Sequence, residues 1–455
     1  MANWQAGATL ELEITDLNST GEGLGRWDGR VVFVPDTVPG DKIQTKLLQV
    51  KPTFARGSLV QVVEASSDRI RPACIVADKC GGCQWQTVTY ETQLAAKQRQ
   101  VEDALRRIGG FTELPMSPIL GAEEGLGYRN KVAYPLARSQ EGHVKAGYYR
   151  KGSHKLVNLN QCPVQDSRLN PLLAEVKQDI QARGWSIYDE SAHRGRLRHL
   201  SLRVGRRTGE MLLTLVSAER GVKGVGEQAQ VWMERYPNLV GVCLNYNSAK
   251  TNAIFGDETC CVAGRPYLEE VFAGLRFQIH PTTFFQVYTE QAERLLGVIL
   301  EELALQGTEL VIDAYAGIGT LTLPIAQKAR RCVGLEVQPE AIQQGLVNAG
   351  LNDLENVEFR VGDVATLLPQ IAQDLETVPE VVTLDPPRKG CDRTVLDALI
   401  ALKPGRIVYV SCNPATLARD LKILCEEGGY RLSRVQPADF FPQTAHVECA
   451  AFLVA

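Results

Sequence analysis

The run Tyr409-Val-Ser-Cys-Asn-Pro-Ala-Thr416 decides how this chain folds and where its chemistry sits. It closes an apolar strand, Arg406 to Val410, that delivers the Cys412 sulfur to a sheet edge. Upstream, a second strand ends in Leu384-Asp-Pro-Pro-Arg-Lys-Gly390, and a third, Glu309 to Asp313, runs into Asp313-Ala-Tyr-Ala-Gly-Ile-Gly319. Gly317 and Gly319 predict a tight turn, and Leu321 to Lys328 a helix with Pro324 in its first turn. The strand Arg331 to Glu336 follows, then Arg360-Val-Gly-Asp363. Open α/β sheets bind ligands outside the carboxyl ends of their strands, so these motifs should meet in one crevice despite their separation in sequence.

Four acids, Asp313, Glu336, Asp363 and Asp385, stand at four such strand ends. Glu336, about 20 positions after the glycine turn, suits hydrogen bonding to ribose hydroxyls. The turn lacks the Gly-x-Gly-x-x-Gly spacing that brings backbone against a pyrophosphate, so a nucleoside without phosphates is the better ligand. S-adenosylmethionine is such a molecule, with an amino acid group, a ribose and an adenine for acidic and amide side chains to hold.

Phe284-Phe-Gln286, Asp385-Pro-Pro-Arg-Lys-Gly390, Ser411-Cys-Asn-Pro414 and Phe441-Pro-Gln-Thr-Ala-His-Val-Glu448 together resemble the RNA uracil-5-methyltransferase family, in that family's order. The resemblance implies a nucleophile at Cys412, a general base at Glu448, and methyl-donor contacts from Gln286, Tyr315, Thr320, Glu336, Asp363 and Asp385. Thr320 and Tyr288 depart from the asparagines common at those places, without touching the chemistry. That chemistry explains the residue types. Carbon 5 of uracil is too poor a nucleophile to attack a sulfonium methyl group. A thiolate adding to carbon 6 makes an enolate with electron density on carbon 5, which can displace methyl from the donor in line. A free cysteine has a pKa of about 8.5, so the site must help it ionise, with Arg388 or Lys389 as the candidate cation. Afterwards a base must take the carbon 5 hydrogen so that the cysteine can leave. Glu448, near the head of the apolar terminal strand Val447 to Val454, is placed for that.

Cys74, Cys80 and Cys83, with Cys162 before Pro163, form a second signal. Four thiolates suit zinc or an iron-sulfur cluster, and spacing alone does not separate them, although a distant fourth ligand followed by proline resembles cluster ligation. The family resemblance points to [4Fe-4S] at these positions, organising an RNA-binding domain.

The first 65 residues alternate as short strands between Gly and Pro turns, and Gly21-Glu-Gly-Leu-Gly-Arg26 with Val38-Pro-Gly-Asp41 resembles a TRAM domain, an OB-like barrel. It is not basic, with six Lys or Arg against eight Asp or Glu, whereas residues 128–207 hold 16 Lys or Arg against 6 Asp or Glu in a protein of net charge −4. Tyr128, Tyr134, Tyr148 and Tyr149 interleave with those cations, a pattern that offers stacking faces beside phosphate contacts. The stretch Gly195 to His199 reads as a strand edge.

The expected fold is multidomain α/β. An OB-like barrel (TRAM) over residues 1–65 precedes a central α+β iron-sulfur and RNA-binding domain over 66–275. A Rossmann-like methyltransferase domain over 276–455 follows, and the amphipathic helix Glu91 to Ile108 is a candidate to pack on it. The expected activity is methylation of uridine carbon 5 in structured RNA, 23S rRNA before the tRNA T loop, with the target base turned out of its stack. A 5-methylcytosine enzyme would use the same thiol addition. A noncatalytic RNA-binding protein or RNA chaperone is the alternative of another class, and Cys412, Glu448, Asp385 and Gln286 argue against it. No membrane-length apolar stretch, no secretion-signal pattern and no obligate protein partner are evident, so a cytoplasmic location is expected.

Overall fold

The computed structural model describes residues 4–374 and 377–455. Its first layer is a closed barrel of β1 (Thr9–Leu17), β2 (Gly23–Trp27), β3 (Arg30–Val34), β4 (Lys42–Val50) and β5 (Phe54–Glu64), in the order β1-β2-β3-β5-β4. Alternation builds it: Leu10, Leu12 and Ile14 point inward while Glu11 and Glu13 face out.

After α1 (Tyr90–Arg107) the chain forms β6 (Lys131–Arg138), β7 (Val144–Ala146), α2 (Leu169–Ala182), β8 (Leu197–Val204), β9 (Met211–Ser217), α3 (Val225–Arg235), β10 (Leu239–Tyr246) and β11 (Glu258–Gly264). The strands make one sheet in the order β11-β10-β9-β8-β6-β7. Leu172, Val176, Ile180 and Trp232 of the two helices close a core over one face. The stretch ending at His199 is not an edge, because β8 lies between β9 and β6 and buries Arg198.

A hairpin, β12 (Leu268–Phe272) and β13 (Leu275–Ile279), and α4 (Thr289–Leu303) lead to the last sheet. Its elements are β14 (Leu310–Ala314), α5 (Thr322–Ala326), β15 (Arg331–Glu336), α6 (Pro339–Leu351), β16 (Val357–Val361), α7 (Val364–Asp374), β17 (Val381–Leu384), α8 (Arg393–Leu402), β18 (Arg406–Ser411), α9 (Pro414–Glu426), β19 (Arg431–Ala438) and β20 (Glu448–Val454). The order is β16-β15-β14-β17-β18-β20-β19, with β20 antiparallel to both neighbours and the remaining pairs parallel. Chain progression reverses between β14 and β17, which opens a crevice at their carboxyl ends. The helix expected from Leu321 to Lys328 is shorter, because the Arg330 and Arg331 N–H groups already bond Glu309 O and start β15.

The N-terminal half also completes this sheet. Val101 and Leu105 of α1 enter its core, and the helix packs on α9 and β19. Lys97 Nζ meets Asp439 Oδ1 at 2.5 Å with both side chains fully buried. Residues 115–120 run beside β19, where Ser117 N donates to Val435 O and Leu120 N to Pro437 O, each at 2.9 Å. That segment covers an edge that would otherwise offer unpaired backbone groups.

Candidate active site

The ladder between β18 and β20 ends at Ser411 paired with Cys449, and Cys412 and Glu448 are the next residues on the two strands, close enough for the Glu448 charge to act on the thiol. The β19 ladder reaches Glu448 from its other side through Ala438. Glu448 is 7% exposed, and burial, reinforced by the Asp385 charge, holds its carboxyl well above the usual range. Burial first, then the Glu448 charge, pushes the Cys412 thiol up to about 11, and Arg388 opposes the rise in both groups. Asn413 fixes the loop that carries Cys412: its Oδ1 caps α9 by accepting from Ala415 N, and its Nδ2 donates to Arg388 O at 3.0 Å. Arg388 Nη2 lies 3.3 Å from His446 Nδ1, so the loops ending β17 and β18 and the loop entering β20 are cross-tied.

The crevice beside this pair is acidic. Burial, then the neighbouring Asp313 charge, pushes Asp385 up to about 7. Asp313 rises to about 6 through burial, although Thr322 Oγ1 and Thr383 Oγ1 donate to its two oxygens at 2.5 and 2.6 Å. Glu336 accepts from Gly317 N and Gln338 N, each at 3.0 Å, and so shapes the glycine turn. Tyr315 takes φ +67°, a left-handed conformation that turns the chain sharply after β14. Asp363 is exposed at the start of α7, its Oδ1 accepting from Ala365 N at 2.7 Å.

Tyr315, Thr320, Glu336, Asp363 and Asp385 therefore gather at or just beyond the carboxyl ends of β14 to β17. Gln286 comes from outside the sheet, on the loop before α4, where its carbonyl accepts from Asn130 Nδ2 at 2.9 Å. Thr283 Oγ1 ties the same loop to Gln344 of α6 at 2.6 Å. Phe284 between them is 72% exposed. Sequence reasoning missed Thr322, Thr383 and His446, since isolated hydroxyls and one imidazole carry no periodic signal.

Cys74, Cys80, Cys83 and Cys162 line one cavity of about 70 Å³ with Arg129, Tyr148 and Thr444. The donor set is soft, and Gly82 N donates to Cys80 Sγ at 3.4 Å. A Cβ at Gly82 would lie 3.2 Å from the Tyr148 ring and 3.5 Å from Cys80 Sγ, so glycine keeps this wall thin. Burial pushes Cys83 up to about 11 and also raises Cys80 and Cys162, with neighbouring thiols adding to each shift. Among the described residues no three His, Cys, Asp or Glu are grouped to hold a single metal ion. The wall reaches the active site directly, because Gln84 N and Trp85 N both donate to Gln443 O, just upstream of His446 and Glu448.

The basic stretch differs from its sequence reading. Tyr128 and Tyr134 are fully buried and Tyr148 lines the cysteine cavity, which leaves Tyr149, 44% exposed, as the accessible ring. Many of the cations are spent internally: Arg168 and Arg206 pair with Asp166, Arg198 with Glu190, Arg207 with Glu293 and Lys151 with Asp36.

Residues 264–455 match the family described as tRNA (Uracil-5-)-methyltransferase, and residues 3–60 match the TRAM domain. The chain is 62% identical over 453 residues to an uncharacterized RNA methyltransferase of Nostoc sp., covering 100% of this chain and 98% of that one. Against an uncharacterized RNA methyltransferase of Bacillus cereus the identity is 40% over 444 residues, covering 98% and 96%. Among solved structures, the Pyrococcus abyssi tRNA (uracil-54, C5)-methyltransferase in complex with S-adenosyl-L-homocysteine is 28% identical with a TM-score of 0.75, over 98% of this chain and 99% of that one. Together with this sheet and its acidic crevice, these matches define an S-adenosylmethionine-dependent RNA methyltransferase. The chain belongs to the RNA uracil-5-methyltransferase family and carries a TRAM barrel at its amino-terminal end. No helix among the described residues is long and apolar enough to cross a membrane.

Proposed function

We propose that the protein methylates carbon 5 of a uridine in structured RNA through a bond between Cys412 Sγ and carbon 6 of the ring. The observation that carries this reading is the register that brings Cys412 close to Glu448 beside Asp385 and Arg388. Burial disfavours the ionised form of both the Cys412 thiol and the Glu448 carboxyl. A sulfonium cation bound beside them, together with Arg388, favours their ionised forms, so the nucleophile forms when the donor is in place. The thiolate adds to carbon 6, carbon 5 takes the methyl group, and S-adenosylhomocysteine leaves. Glu448 accepts the carbon 5 proton, and expulsion of the thiolate restores the ring double bond. Gln286, Tyr315, Thr320, Glu336, Asp363 and Asp385 hold the donor.

Cys74, Cys80, Cys83 and Cys162 are proposed to hold a [4Fe-4S] cluster. The convergence of four thiols on one cavity supports a shared metal centre there, and the family resemblance favours the cluster over zinc. Such a cluster would supply a rigid strut behind the Gln84 and Gln443 contact.

Of the two RNAs, 23S rRNA was the first expectation from the barrel and the cysteine domain. The tRNA T loop gains support from the Pyrococcus abyssi enzyme, whose 99% coverage shows that a tRNA enzyme matches this chain along its length. Mapping 5-methyluridine in both RNAs from cells with and without the gene decides between them. A 5-fluorouridine-substituted transcript of the responding RNA should form a denaturant-resistant adduct that Cys412→Ala abolishes. Absence of that adduct with the wild-type protein overturns the mechanism.

A further inference from the structure

The six-stranded sheet sets Lys131 of β6 directly opposite Arg203 of β8. Like charges on facing residues repel, yet neither side chain has an ion-pairing carboxylate among the described residues. Lys131 is half-buried, with Nζ 5.2 Å from the centre of the Phe255 ring. Arg203 is 4% exposed. Its Nη2 donates to Thr283 O at 2.6 Å, while Nε and Nη1 are buried without any acceptor. Glu270, the acid that influences Arg203, commits its oxygens to the backbone N–H groups of Arg206, Arg207 and Val271. Burial and the Arg203 charge also push Lys131 down to about 6, as expected of a cation without its counter-ion. A buried guanidinium with unused donors is costly unless an anion completes it.

The position of the pair says which anion. Thr283 leads into exposed Phe284 and Gln286, and Asn130, next to Lys131, holds the Gln286 carbonyl. The pair is therefore tied to the loop that carries Phe284 and Gln286, beside the crevice at the strand ends. We propose that Lys131 and Arg203 together bind one backbone phosphate of the RNA beside the target uridine. An ammonium and a guanidinium fork on one side of a tetrahedral oxyanion is a suitable donor set. The inference rests on the function proposed above.

Its test uses the RNA that the wild-type protein methylates. Lys131→Met should weaken RNA binding about tenfold and reduce the slope of log affinity against log salt by about 0.7 to 0.9, the release expected for one phosphate. Donor affinity should stay unchanged. A neutral methylphosphonate at one position flanking the target should weaken the wild type by a similar factor and Lys131→Met no further. Arg203→Lys, which keeps the charge and loses the fork, should weaken binding at that same position. Unchanged RNA affinity and salt slope in Lys131→Met, a loss of donor affinity instead, or fully additive effects of the protein and RNA changes would each overturn the phosphate pair. Wild-type protein that forms no adduct on any RNA overturns the underlying function instead.

Discussion

The two large sheets bury charge of opposite sign. Beside the seven-stranded sheet, burial holds Asp313, Asp385 and Glu448 above the normal carboxylate range, with hydroxyls opposing the rise at Asp313 and Arg388 at Glu448. Inside the six-stranded sheet Lys131 and Arg203 are pushed down by burial, Lys131 further by the Arg203 charge, and Glu270 only partly offsets the shift in Arg203. Neither set is relieved by the other. Structural ion pairs elsewhere in the molecule are closed, as Lys97 with Asp439 shows. On the two proposals above, an open charge in this protein marks a place where a partner belongs, a cationic donor on one side and a polyanion on the other.

The contrast can be broken first at Glu448. If its carboxyl removes the carbon 5 proton, Glu448→Gln should lower turnover about 10²- to 10⁴-fold while the Cys412 adduct accumulates in a denaturing gel, because addition and methyl transfer precede the missing step. Loss of the adduct itself would give Glu448 an earlier role. A closed pair should behave differently: Lys97→Met strands Asp439 in the interior and should cost about 3–5 kcal/mol of stability, read by denaturant unfolding. A variant as stable as wild type would show that water reaches the site.

The open acids make a subtler forecast. Burial lifts Asp313 to about 6 and Asp385 to about 7, above the 3.8 of an exposed aspartate, so the folded state holds more protons than the unfolded state across that interval. The stability these two carboxyls contribute is then fully present below the unfolded pKa and is lost as pH rises through about 6 to 7. A melting temperature that drops by several degrees from pH 5 to 8, with a flatter profile in Asp385→Asn, is the expected result. Smallest of all should be Arg196→Ala, whose guanidinium already pairs with Glu219 at the surface. RNA affinity within about twofold of wild type and stability within about 0.5 kcal/mol are expected, and a larger RNA defect would return that cation to the interface.

The last sheet was legible because its strands are short continuous apolar runs, buried on both faces, that stop at Asp313, Glu336, Asp385 and Cys412. The basic segment was misread because charge composition does not say what each side chain touches. Asp166 lies inside that segment, but Glu293 and Asp36, partners of Arg207 and Lys151, lie outside it and are brought in only by tertiary folding. The same holds for Tyr128, whose ring stacks on Tyr288 at 4.7 Å in the interior instead of facing solvent. The Lys131 and Arg203 pair was hidden for the mirror reason: its meaning lies in partners that are missing.

The Lys97 and Asp439 contact spans 342 residues, and it governs when the enzyme can mature. At about 5–20 residues per second, a ribosome needs roughly 20 to 70 s to make the aspartate after the lysine has emerged. Through that interval α1 shows the nascent chain an unmatched ammonium and an apolar stripe. The amino-terminal half must wait, shielded or fluctuating, for the carboxyl-terminal half to arrive, and truncated products have no route to the finished sheet.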